Sequence, residues 1–143
     1  MTTVIVDANV AVKWCLPSLR EELVTEAEEL LASSRRDEVQ FLVPDLFWVE
    51  LANALWKAVR RNEISSDSAA AAMSFVRDLD IATAPSIDIV PQALDLAISY
   101  GRTVYDSLYV ALAIQSKSEM ITADERLANA LAARFPVKWL GAF

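Results

Sequence analysis

The sequence contains no histidine. That absence removes the usual imidazole general base, the Ser-His triads and the histidine-rich zinc sites. Cysteine occurs once, as Cys15, so an internal disulfide is excluded and a reducing compartment is expected. Two glycines and five prolines leave little material for long flexible linkers. Positive charge is also scarce: 13 Lys and Arg stand against 20 Asp and Glu, for a formal charge of -7. A simple cationic face that holds nucleic acid by neutralising phosphates is therefore disfavoured, although bound Mg2+ would restore positive charge locally. Long hydrophobic runs are missing too. The most apolar stretch, residues 104–115, is too short to span a bilayer and carries Asp106 inside it. Met1-Thr2-Thr3 lacks the basic stretch that opens a signal peptide. A cytoplasmic protein without membrane segments is expected.

What is present is the makeup of one globular domain over residues 1–143, more than half apolar and less than a quarter charged. Short β-rich runs alternate with helical patterns. Thr3-Val4-Ile5-Val6 reads as a buried strand ending at Asp7. Leu23, Ala27, Leu30 and Leu31 recur at helical spacing and predict a helix over 19–33, opened by a Ser18-x-x-Glu21 capping box. Phe41-Leu42-Val43 is a second strand closed by Pro44, and Asp45 stands as N-cap of a helix over 45–61. Ser65 or Ser66 opens a helix running to about Asp78, and residues 81–87 hold a short strand broken by Pro85. A helix over 88–100 has Pro91 in its first turn and Gly101 beyond its end. Thr103 opens a helix to about Ser116; a strand over 119–122, a helix over 124–134 and a last strand over 137–140 follow. Strands separated by helices predict an α/β domain: a central, mostly parallel sheet of four to five short strands with helices on both faces.

Four acidic residues stand out. Asp7 ends the first strand, where open α/β sheets place their sites, yet an N-cap for the next helix explains an Asp there equally well. Glu50 has apolar neighbours on both sides; a solvent stripe shared with Asn53, Lys57 and Arg60 is the plainer account. Asp106 lies in Val104-Tyr105-Asp106-Ser107-Leu108-Tyr109-Val110-Ala111-Leu112-Ala113, which reads as a helix buried nearly all round. A buried carboxylate is paired, protonated or metal-bound. Thr103-x-x-Asp106 is also a variant capping box, and Arg102 is an available partner. Asp124 sits in a first helical turn, where the dipole favours an acid, behind a Thr122-x-x-Glu125 capping box. Singly, each acid has a structural explanation. Jointly, all four fall at one edge of the expected sheet, where clustered carboxylates repel unless a cation neutralises them. Oxygen donors without His or a nearby Cys select Mg2+ or Mn2+ over zinc. By contrast, Glu21, Glu22, Glu26, Glu28 and Glu29 read as one solvated helix face, and Asp37-Glu38 as a loop.

The strings Val6-Asp7-Ala8-Asn9-Val10, Glu50 in the helix after Val43-Pro44-Asp45, Tyr105 to Ala113, and Thr122-Ala123-Asp124-Glu125-Arg126-Leu127 resemble the PIN domain in order and spacing. Within that family they look most like the VapC-type ribonuclease toxins of prokaryotic toxin–antitoxin pairs. The likeness spans essentially the whole chain. It implies a Mg2+-dependent endoribonuclease, with Asp7, Glu50, Asp106 and Asp124 as its catalytic, metal-holding acids and Asn9 and Thr122 as supporting polar contacts. It also implies an RNA substrate, a cognate antitoxin protein and a homodimer. Lys13, Lys57, Arg60, Arg61 and Arg102 are candidates to guide the RNA backbone, although basic residues on helices are mostly solvated. Trp14, Trp48 and Trp56 read first as core. The resemblance implies that some of them line a groove for an amphipathic antitoxin segment, which could also carry an Arg into the acidic pocket.

Two rival readings come from other classes. One is a non-catalytic PIN-like interaction domain that keeps the acids as a structural metal site. The other, ranked below it, is a phosphotransfer or phosphatase domain with an aspartate cluster. The phosphatase type wants a second acid where Asn9 stands, and a receiver wants an adjacent acidic pair that Val6-Asp7 does not give.

Overall fold

The apolar run that opens the chain forms strand β1, Thr2–Val6. Val4, Ile5 and Val6 are all buried although successive side chains point to opposite faces of a strand. Shielding on both sides is what a parallel sheet between two layers of helices requires. The computed structural model describes residues 1–17 and 22–143. Among them, β2 (Val39–Pro44), β3 (Ala82–Ala84), β4 (Glu119–Thr122) and β5 (Val137–Trp139) complete one sheet. Its order is β3-β2-β1-β4-β5 and every neighbouring pair is parallel, so the sheet expected to be mostly parallel is wholly so.

The described helices are α1 (Ala8–Cys15), α2 (Val24–Arg35), α3 (Leu46–Arg60), α4 (Ser66–Arg77), α5 (Val90–Tyr100), α6 (Val104–Ser116) and α7 (Glu125–Leu131). Helix α6 lies against the central strands β1, β2 and β4 and carries α5 against its own flank, while α1 packs on α2, α3 and α4. Ile5, Phe41, Phe47, Leu51, Tyr109 and Met120 are among the large side chains sealed in the core between them. Strand order fixes where a site can form. From β1 the chain steps outward through β2 to β3, then returns across the sheet to lay β4 on the other side of β1. The crevice between the carboxyl ends of β1 and β4 is therefore the topological switch point.

Several expected boundaries move, each for a physical reason. Helix α2 starts at Val24, after Leu23 in the left-handed region (φ 62), and runs to Arg35 rather than 33; the Ser18-x-x-Glu21 box lies outside the described residues. Asp45 occupies the N-cap position of α3 without capping it. Its carboxylate accepts instead from Ser86 N–H at 3.1 Å and from the Ser86 hydroxyl, tying α3 to the turn after β3. Residues Ser86–Asp88 form a 3-10 turn, so α5 begins at Val90. Helix α7 stops at Leu131, short of 134. Helix α6 is buried over residues 107–113, but Tyr105 is exposed and Asp106 only partly covered. The caps at Ser65 and Thr103 form as expected, accepting from Ser68 N–H (3.0 Å) and Asp106 N–H (3.1 Å). Gly101, at φ 69, ends α5 as a left-handed cap. No helix among the described residues is long and apolar enough to cross a membrane.

Candidate active site

Asp7 follows β1 directly, and its N–H donates to Ile121 O (3.0 Å), carrying the β1–β4 pairing past the strand end. This sets a carboxylate that is only 7% exposed at the floor of the switch-point crevice. Its Oδ2 accepts from Thr122 Oγ1 at 2.9 Å. The same Thr122 oxygen accepts from Asn9 Nδ2 (3.2 Å) and from Asp124 N–H (3.1 Å), so its one proton and both lone pairs are committed. Asn9 Oδ1 completes the clasp by accepting from Ala123 N–H at 3.0 Å. The expected Thr122-x-x-Glu125 capping box does not form, because Thr122 Oγ1 already accepts from Asn9 and from Asp124 N–H. Asp124 is the N-cap of α7 instead, its Oδ1 accepting from Leu127 N–H at 3.2 Å.

Glu50 projects from the second turn of α3 and Asp106 from the first turn of α6. Tyr109, one turn after Asp106, donates its hydroxyl to Glu50 Oε1 at 2.6 Å. All four acids line one open cleft of about 570 Å³ together with Asn9, Lys13, Asn53, Lys57 and Arg61. Burial pushes the Asp7 carboxyl up to about 7, against the Thr122 hydrogen bond and with added repulsion from Glu50 and Asp106. Glu50 is raised by burial, opposed by the Tyr109 bond and reinforced by the Asp106 charge. Asp106 is raised by burial and by Asp124, with Arg102 pulling the other way. Burial, then the charges of Asp7 and Glu50, keep the Tyr109 phenol protonated well past its ordinary range.

The cleft thus has carboxylates that resist ionising because they are buried and close to one another. An all-oxygen donor set of this kind fits a hard divalent cation. Among the described residues no group of three or more Asp, Glu, His or Cys could hold a metal ion as the side chains stand. The fit is therefore to a hydrated ion, bound by one or two carboxylates and reached by the others through water, the ordinary habit of Mg2+.

Of the basic residues singled out in the sequence, Lys13, Lys57 and Arg61 line the cleft, and Lys13 also donates to Glu22 O. Arg60 does not line it: its guanidinium lies 5.0 Å over the Trp56 ring. Arg102 also stays outside, donating to Arg126 O at 3.2 Å, though its charge reaches Asp106. The tryptophans divide as well. Trp14 is core, donating to Ala27 O (2.7 Å) and tilted against Phe41. Trp48 donates to Thr83 Oγ1 at 2.9 Å, and Trp56 is 51% exposed. Tyr109 had no predicted role. The clue was available, since a tyrosine inside an apolar helix needs a partner for its hydroxyl.

With this geometry in hand, the comparisons decide the family. The PIN domain family model matches residues 4–131. The chain belongs to the PIN domain family. This PIN domain is 33% identical over 129 residues to Ribonuclease VapC3 of Pyrobaculum aerophilum, a match spanning 87% of this chain and 92% of that one. Its fold is shared by a crystal structure of another protein from Pyrobaculum aerophilum, with a TM-score of 0.71 at 19% identity over 99% of this chain and 85% of that one. It is shared too by VapBC2 from Rickettsia felis bound to a promoter DNA fragment, with a TM-score of 0.64 at 10% identity over 96% and 98% of the two chains. The expected PIN membership and α/β architecture are borne out.

Proposed function

We propose that this PIN domain is a Mg2+-dependent endoribonuclease that acts in the cytoplasm as the toxin of a toxin–antitoxin pair. The observation that carries the reading is the convergence of Asp7, Glu50, Asp106 and Asp124 on one cleft at the switch point of the sheet. The likeness to Ribonuclease VapC3 over most of both chains supports RNA as the substrate.

Asp7, Glu50 and Asp106 would hold the cation, one or two of them directly and the rest through water, with Asp124 joining directly or through water; Mn2+ suits the same donors. When bound, the ion supplies a low-pKa water and a positive charge for the scissile phosphate. The chain's own residues do the positioning. Thr122 and Asn9 lock the Asp7 carboxylate in one orientation, so little reorganisation is needed on binding. Lys57 and Arg61 put positive charge on the α3 wall, where an RNA backbone would enter an otherwise acidic cleft. The test is cleavage of an RNA pool with Mg2+ by Asp7→Asn, Glu50→Gln and Asp106→Asn. Each is expected to lose at least about 100-fold in rate, the scale of removing one preorganised charge-stabilising group. Undiminished cleavage by all three would overturn the reading.

The absence of a ready-made three-carboxylate cage among the described residues favours one alternative, a non-catalytic PIN domain with a structural metal site. That protein would melt higher with Mg2+ and cleave no RNA. Family membership leaves the phosphotransfer reading without support. A cognate antitoxin and a homodimer complete the proposal. For the homodimer, Val90, Leu94 and Ile98 form an exposed apolar stripe along α5, extended by Ile87.

A further inference from the structure

Among the described residues, Tyr109 is the one large polar side chain sealed beneath the acidic cleft; it is 1% exposed and packed in the core. A buried phenol needs a partner, and a backbone carbonyl would serve. Here the partner is the carboxylate of Glu50, reached at 2.6 Å across 59 residues of sequence. Tyr109 therefore ties the Glu50 turn of α3 to α6, one turn past Asp106. Two acids of the cleft, contributed by distant parts of the chain, are linked through this bond.

We propose that Tyr109 positions Glu50 for cation binding: its buried hydroxyl holds one carboxylate oxygen, so that the other is presented to the cleft. A half-buried glutamate at the rim of an open cleft otherwise samples several rotamers, and ordering it on binding costs free energy. Repulsion from Asp106 would also drive it outward. The hydroxyl opposes both effects with a hydrogen bond to a charged acceptor, the stronger kind. Tyr109 is thus a positioning residue, acting through Glu50 and not on the substrate. This inference rests on the proposed cation-dependent chemistry of the same cleft.

The deciding variant is Tyr109→Phe in the full chain, which keeps the ring and removes only the hydroxyl. Mn2+ affinity, read by electron paramagnetic resonance without RNA, is expected to weaken about tenfold, the loss of one hydrogen bond to a charged group. RNA cleavage should fall at low Mg2+ and recover as Mg2+ is raised, with the KM for RNA unchanged. Val110→Ala, a buried neighbour on α6, is the structural control; it should lower the melting temperature and leave Mn2+ affinity alone. Wild-type affinity in Tyr109→Phe would overturn the role of Tyr109 while leaving the proposed function standing. A wild-type chain that neither binds Mn2+ nor cleaves RNA would overturn both. A second measurement needs no variant. In protein labelled at tyrosine Cζ, the resonance of the one buried tyrosine should move as Mg2+ is added; a resonance that stays fixed while Mg2+ binds would also overturn the inference.

Discussion

Asp7 is buried under the cleft floor with a carboxyl that takes up its proton near pH 7, against an ordinary value of 3.8. A folded-state pKa above the unfolded one means that the native chain holds the proton longer. The resulting stabilisation is complete below about pH 4 and is lost as the pH rises through 7. The metal-free protein should therefore melt lower at pH 8 than at pH 5.5, and Mg2+ should recover most of the difference at pH 8; a flat profile by scanning calorimetry would contradict this. Asp7→Asn removes the buried charge and keeps the shape. It should raise the metal-free melting point at pH 8 by several degrees, since about 1 kcal/mol moves a domain of this size by roughly 3 °C, while cleavage is lost. Mn2+ affinity should climb with pH up to about 7 and then level off. At this scale the four acids were legible because carboxylates in apolar surroundings or at strand ends demand an explanation. Asn9 and Thr122 were reached only through the family resemblance, and the Tyr109 brace not at all, because each joins side chains more than 50 positions apart.

Among the helices and strands, the caps show how far local rules reach. Ser65, Thr103 and Gly101 do what their sequence context predicts, because nothing distant competes for them. Asp45 and Thr122 also stand where local rules put caps, yet Asp45 accepts from Ser86, and Thr122, donating to Asp7, has its acceptor sites filled by Asn9 and Asp124 N–H. Tertiary partners win where they offer a charged hydrogen bond. Ser65→Ala should cost about 1 kcal/mol of stability, the usual worth of an N-cap, with cleavage unchanged because no residue of α4 lines the cleft; thermal melts and an RNA assay check both halves. Near the C-terminus, a Cβ at Gly141 would run into the Trp139 ring, which folds back over it. Gly141→Ala should displace that ring from its seat at the end of β5, lowering the melting point and altering tryptophan fluorescence.

For the whole molecule, alternating strands and helices were enough to predict a parallel sheet between helical layers. Strand order was not, since no local pattern says on which side of β1 the fourth strand will lie. That order creates the cleft. An apolar feature left on the described surface is the α5 stripe, where Ile98 is 74% exposed. If two copies pair through it, Ile98→Asp should convert a dimer to a monomer by light scattering, with Mn2+ affinity in the cleft intact. A wild-type monomer at micromolar concentration would reject the pairing.

Because β1 sits at the centre of the sheet, one of its two neighbours, β4, is made long after it. Asp7 is synthesised 115 residues before Thr122, which bonds it, and Asp124, which shares its cleft, follows later still. Parallel neighbours so far apart in sequence pair late in folding. A nascent chain carrying Asp7, Glu50 and even Asp106 still lacks the strand that closes the crevice. The ribonuclease activity proposed above would thus arise only as β4 docks. That interval is a window in which the proposed antitoxin could meet the chain before its cleft is complete.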